Sequence, residues 1–178
     1  MNDRELIEGC LKGKAEYERI LYDRFSGKMF AVCMRYARNK AEAEDIMQDG
    51  FIKVFRKMHT FKHQGSFEGW IRKIMVHSAL KFLKKGSNKN EFNTLEDVKE
   101  RPVKSKAISN ITEMELLELI DELPLGYKTV FNLYVIEGYK HNEIADLLGI
   151  GESTSRSQLL KARKYLQSAL KKMQLLLV

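Results

Sequence analysis

The chain has 178 residues, 44 % of them hydrophobic, and a net charge of +7, enough apolar material for one or two small domains with a core. Met1 is followed by Asn2, Asp3, Arg4 and Glu5, and no apolar run approaches the roughly 20 residues that span a bilayer, so neither a secretory leader nor membrane insertion is expected. Two cysteines, Cys10 and Cys33, are too few for a disulfide framework and lack metal-ligand spacing, which argues for a reducing, cytoplasmic location.

Two prolines and abundant Leu, Lys, Glu and Ala predict a helical chain. A first helix runs from about Asp3 to Lys12, with Leu6, Ile7, Cys10 and Leu11 inward and Gly13 as its stop. A longer second helix carries Tyr17, Ile20, Leu21, Phe25, Met29, Val32, Cys33 and Tyr36 on one broad face. Asn39, with Glu42 three residues on, has the form of a capping box and opens a third helix bearing Ile46, Met47, Phe51, Val54, Phe55 and Met58. After a loop with Gly65, Ser66 caps a fourth helix that reaches about Lys85. Residues 87–110 lack sustained periodicity and read as a flexible linker. Thr112 with Glu115 is a second capping box, opening a helix with Leu116, Leu117, Leu119 and Ile120. Pro124 starts the next element, with Val130, Phe131, Leu133, Tyr134 and Val135, and Gly138 closes it. The expectation is an all-α protein: two small helical domains, 1–86 and 111–178, joined by the linker.

Charge is blocked along the chain. Residues 41–52 hold four acids and no base, residues 53–90 ten bases against Glu68, and residues 153–178 six bases and no acid. Two separated basic blocks suggest two polyanion-facing surfaces, and the acidic block a third charged interface.

The C-terminal block carries the clearest motif. Residues 143–150 read as a short helix stopped by Gly149, with Ala145 small at a helix crossing, Ile150 plugging the turn and Ser153 placed to cap the next helix. That is the spacing of a helix-turn-helix, whose second helix enters the major groove. At about 100° per residue, Ser155, Leu159, Ala162, Leu166, Leu170 and Met173 form its inward stripe. Thr154, Ser157, Lys161 and Lys164 face outward, with Arg156 and Gln158 on the flanks, a set suited to base edges near the helix start and phosphates further on.

On the fourth helix Trp70, Lys73, His77, Lys81 and Lys84 share one face, and Phe67, Ile71, Met75, Ser78 and Phe82 the other. An aromatic at the end of a basic stripe suits opened nucleic acid, where bases stack and phosphates need neutralising. Trp70 taken alone is more often a core residue than a stacking platform. The loop before it adds Phe61, Lys62 and His63 at the same end. Glu44, Asp45, Gln48 and Asp49 cluster at the start of the third helix, where the dipole favours acids and where they could equally form a docking face for a basic protein surface.

Together these segments resemble bacterial RNA polymerase sigma factors of the extracytoplasmic-function class, in the sigma-70 family. Residues 43–55 resemble the polymerase-docking helix of its region 2, residues 67–74 the start of the promoter-opening helix, and residues 123–131 and 143–163 its region 4. Three blocks in the right order are far more specific than any one. The resemblance implies that 1–86 is region 2 and 111–178 region 4. It implies that Glu44, Asp45, Gln48 and Asp49 meet the clamp coiled coil of core RNA polymerase, whose flap is a further contact. Phe61, Lys62, His63, Trp70, Arg72, Lys73, His77 and Lys84 would open the −10 element and hold it single-stranded. Thr154, Arg156, Ser157, Gln158, Lys161 and Lys164 would read duplex DNA at −35. The linker would thread the polymerase channel. An anti-sigma factor or an accessory recruiting factor is a partner for which the resemblance leaves room. His77 stands where the family often has Asn, Lys81 where it often has Asp, and Ser155 where Val is common.

Two other classes fit the sequence less well. For an enzyme, the sequence offers no P-loop, nucleophile elbow or persuasive nucleophile–base pair; His59 and His63 are four apart but lack a third ligand, so neither metal nor cofactor is expected. A stand-alone helix-turn-helix regulator with an N-terminal sensor or dimerisation domain would have no need of a second polyanion face.

Overall fold

The computed structural model describes residues 1–86 and 113–175; the expected linker and the Thr112 cap lie outside them. The chain divides into two compact units, Met1–Gly86 and Ser87–Val178. The described residues contain helices and turns and no strand.

In the first unit, α1 (Asp3–Leu11), α2 (Ala15–Met34), α3 (Lys40–Lys57) and α4 (Phe67–Gly86) pack around one core, with a 3-10 turn at Met58–Thr60 closing α3. Asn2 caps α1 by accepting the Glu5 N–H, and Glu5 returns the contact to the Asn2 N–H. Asn39 caps α3 in the same way through Glu42 N–H, but the Glu42 carboxylate accepts from Arg38 N–H, one residue earlier than the box expected. Ser66 Oγ accepts from Gly69 N–H at the head of α4. Leu6, Leu21, Met29, Ile46, Phe67, Ile71 and Met75 are fully buried, each stabilising by about 1.5–3 kcal/mol on burial. Leu11, expected inward, is 53 % exposed, because it is the last residue of α1 and the chain has already turned away. Cys10 and Cys33 are buried, and burial pushes their thiols up to about 11 and about 12. At Gly50 an added Cβ would lie 2.2 Å from Met75 Sδ, so the glycine is what lets α3 and α4 approach.

The second unit holds α5 (Glu113–Asp121), α6 (Leu125–Phe131), a π-helical turn at Asn132–Ile136, α7 (His141–Leu148) and α8 (Glu152–Leu175). Leu119, Ile120, Leu123, Tyr127, Ala162, Leu166 and Ala169 form its core cluster. The π turn is marked by Glu137 N–H donating to Asn132 O, and it rotates the following residues relative to α6. Tyr134 and Val135 are thereby 37 % and 48 % exposed. Gly149 ends α7 with φ 71°, the left-handed conformation that a side chain would oppose. Ser153 is not the cap of α8: that helix already starts at Glu152, and the Gly151 carbonyl accepts its first bond, from Ser155 N–H.

Candidate nucleic-acid and docking interfaces

The four polar residues of the acidic cluster, Glu44, Asp45, Gln48 and Asp49, are all exposed on one side of α3. Glu44 pairs with Lys40 at 3.7 Å and Asp49 with Lys53, both one helical turn apart. Lys53 also donates to Ser78 Oγ of α4 at 2.8 Å, so this face is tied from behind to the neighbouring helix. Sequence reasoning missed Ile52, which continues the same side of α3 and is 52 % exposed. The signal was available: Ile52 falls four residues after Gln48 and out of phase with the buried Phe51 and Val54.

On α4, Lys73, His77, Lys81 and Lys84 are exposed and Arg72 is half-buried. Trp70 belongs wholly neither to the core nor to solvent. It is half-buried and stacks on the buried Phe67, with ring centroids 5.8 Å apart and planes 15° from parallel. Phe61 closes the group, 5.5 Å from Trp70 and 5.2 Å from Phe67, and His63 lies 4.9 Å from Phe61. His63 has φ 55°, a left-handed turn that brings its ring back over Phe61, while Lys62 stays exposed. The loop and the head of α4 thus form one aromatic platform beside a cationic stripe, able to stack a flat base and neutralise phosphates. Although His77 is exposed, partial desolvation by its neighbours, and then the nearby Lys57, Lys73 and Lys53, hold its imidazole below its ordinary pKa, so at neutral pH it presents hydrogen-bonding nitrogens rather than charge. His59 sits in the 3-10 turn and His63 in the loop beyond it, and the described residues hold no cluster of three groups that could bind a metal.

Along α8 the inward stripe is wider than expected: Ser155, Gln158, Leu159, Ala162, Leu166 and Ala169 are buried. Gln158, assigned to the DNA-reading set, is therefore corrected; at 0 % exposure it offers no atom to a base edge. The reason is that the stripe centres nearer Ala162 than the projection from Ser155 assumed, which turns the Gln158 flank under α8. Arg156 and Lys164 are exposed, and Thr154, Ser157 and Lys161 half-buried. Arg156 pairs with Glu152 one turn back. Leu160, absent from the expected set, is 54 % exposed on the same outward side, between Ser157 and Lys164. At the back of the helix head, His141 Nδ1 lies 2.9 Å from Ser155 Oγ.

Comparison with known proteins agrees with this arrangement. The family model for sigma-70 region 2 matches residues 21–89, and that for sigma-70 region 4 matches residues 113–166. The chain belongs to the sigma-70 family, as a sigma factor of the extracytoplasmic-function class. An ECF RNA polymerase sigma-E factor from Haemophilus influenzae is 24 % identical over 94 % of this chain and 95 % of its own length. The RNA polymerase sigma factor SigV of Bacillus subtilis is 27 % identical over 80 % of this chain and 84 % of its own. Among solved structures, the sigma factor RpoE in complex with the anti-sigma factor NepR, from Bartonella quintana, aligns with a TM-score of 0.52 over 86 % of this chain and 96 % of that one, at 18 % identity, a likeness of fold. Matches to both regions in one chain favour a polymerase initiation factor over a stand-alone regulator. The protein is accordingly a factor of transcription initiation, with RNA polymerase and promoter DNA as its partners. No helix among the described residues is long and apolar enough to cross a membrane.

Proposed function

We propose that the three surfaces divide the work of initiation. Glu44, Asp45, Gln48 and Asp49, extended by Ile52, dock the clamp coiled coil of core RNA polymerase. The platform of Phe61, His63 and Trp70 takes an unstacked base of the −10 element, while Lys62, Arg72, Lys73 and Lys84 hold the phosphates of the opened strand and His77 contacts it as a neutral group. Thr154, Arg156 and Ser157 read base edges of the −35 element, with Lys161 and Lys164 on its phosphates and Leu160 against an apolar base edge. Residues 1–86 act as region 2, residues 111–178 as region 4, and 87–110 as the tether between them. The protein works in the cytoplasm and is itself no enzyme; bond formation belongs to the polymerase. The polymerase flap is a contact of the second unit, and an anti-sigma factor is a further partner, by analogy with the Bartonella pair.

One observation supports this reading most directly. The acidic, part-apolar face of α3 and the aromatic–basic face of α4 lie on adjacent helices joined through Lys53, so docking and strand capture are served by one rigid unit. The test is transcription from a genomic promoter library by purified bacterial core polymerase with and without the protein. Defined new start sites that share two upstream elements are the expected result. A core polymerase that ignores the protein, while the protein alone binds paired duplex sites, would overturn it.

A further inference from the structure

The head of α8 is anchored differently from the rest of that helix. Further along, Leu159, Ala162, Leu166 and Ala169 hold it by apolar burial, which resists separation but has no preferred direction. Within its first turn the fully buried Ser155 is too short to reach far into the core, and its hydroxyl sits 2.9 Å from His141 Nδ1. A hydrogen bond between these atoms is directional and weakens steeply with misalignment, whichever of the two donates. His141 is the first residue of α7, held in place where the Glu143 carboxylate accepts the Lys140 N–H at 2.7 Å. Its ring lies against Tyr134, with centroids 4.5 Å apart and planes 23° from parallel, which holds the plane of the imidazole while the Ser155 hydroxyl engages Nδ1. Tyr134 stands within the π turn that follows α6. The guanidinium of Arg163, back on α8, lies 5.9 Å from the Tyr134 ring centre.

A chain of contacts thus leaves α8 at Ser155 and returns to it at Arg163, about 12 Å further along the helix axis. Two attachment points define a line, so they constrain both tilt and rotation. Residues 154, 156 and 157 flank the first of these points in sequence, and their aim depends on it directly.

We propose that Ser155, His141, Tyr134 and Arg163 form a brace that sets the tilt and rotational phase of the DNA-reading helix, with His141 and Ser155 as its positioning residues. The proposal rests on the reading that α8 enters a DNA groove. The neutral imidazole fits the role. Burial, together with Arg156 and Arg163, holds the His141 pKa below its ordinary value against the opposing pull of Glu152. A neutral ring keeps one nitrogen as donor and the other as acceptor, so its pairing with a hydroxyl does not oblige a buried charge.

The test is a double-mutant cycle on the full chain. His141→Phe keeps a ring against Tyr134 but loses Nδ1; Ser155→Ala removes the hydroxyl and keeps the Cβ, adding no bulk at this buried position. In the first measurement, amide hydrogen exchange without DNA, each single variant should exchange about tenfold faster at residues 155–158 with residues 166–170 unchanged, and the double variant should regain much of the protection. In the second, duplexes enriched from a random-sequence pool are compared with scrambled duplexes. Each single variant should lose about tenfold in preference while keeping its affinity for scrambled duplex, and the double should recover part of it. Unchanged exchange in the single variants overturns the brace. So do strictly additive losses, or equal losses on selected and scrambled DNA. A wild-type chain that enriches no sequence overturns the DNA-reading role instead, and the exchange measurement then decides the brace by itself.

Discussion

Helices α4 and α8 both turn a basic face outward, yet the two faces are built differently. The α4 stripe ends in a platform of three aromatics, Trp70 stacked on Phe67 with Phe61 tilted against both, whereas the outward side of α8 carries serines, Arg156, Lys164 and one leucine. A flat ring can hold a base only after that base has left its duplex, because the faces of paired bases are already stacked. A groove-entering helix needs the reverse, with slim side chains that let the backbone approach base edges. Positive charge therefore says only that each helix meets a polyanion; the side chains between the charges decide whether the strands are open or paired.

That contrast can be broken at several points. The largest effect should come from the surface that belongs to neither DNA face. Charge reversal at Asp45 and Asp49 together should weaken core polymerase binding by roughly 100-fold or more, since like charges set face to face cost several kcal/mol. Duplex binding through α8 should be untouched, and fluorescence anisotropy with core polymerase and with duplex DNA separates the two. Next, Arg156→Ala should cost about 1–3 kcal/mol on the selected −35 sequence if the guanidinium leaves Glu152 for a base edge. Equal weakening on every sequence, in competition binding, would assign it to phosphate. Replacing Lys73 and Lys84 with Ala should slow promoter opening on the order of tenfold with duplex docking unchanged, as expected for lost phosphate contacts to the opened strand. Permanganate reactivity followed over time reads this, and a normal rate would detach α4 from melting. The smallest effect concerns Leu160. Exchanging thymine for uracil in the −35 element removes one methyl per base, and the contact should lose about 0.8 kcal/mol per buried carbon. The difference should vanish in Leu160→Ala, as measured by titration of both duplexes.

Much of this was legible before any coordinates. Periodicity placed the helices because each is amphipathic, and Asn2 aside the N-terminal caps of the first unit were written as Asn39 and Ser66. Gly149 announced its own left-handed turn. What escaped was phase. The burial of Gln158 and the exposure of Leu160 follow from where the second unit's core sits against α8, a property of packing that a projection from one residue does not fix. The π turn escaped for a related reason. Its extra residue per turn leaves no compositional mark, so Tyr134 and Val135 read as a continuation of α6 although the backbone turns them out. Ser153 has the hydroxyl that favours a cap, but the helix begins two residues earlier than such a cap requires, with the Gly151 carbonyl accepting its first bond. Trp70 was ambiguous because a ring on a helix fits a core and a platform alike, and only the distances to Phe61 and Phe67 show the platform.

The buried thiols of the first unit bear on how this protein can be told to act. Burial pushes the Cys10 thiol up to about 11 and the Cys33 thiol up to about 12, so both stay protonated at neutral pH. Peroxides and disulfides attack thiolates, so both sulfurs are slow targets even during oxidative stress. Neither buried sulfur is therefore built as a redox switch; their place in the first unit is that of small apolar side chains.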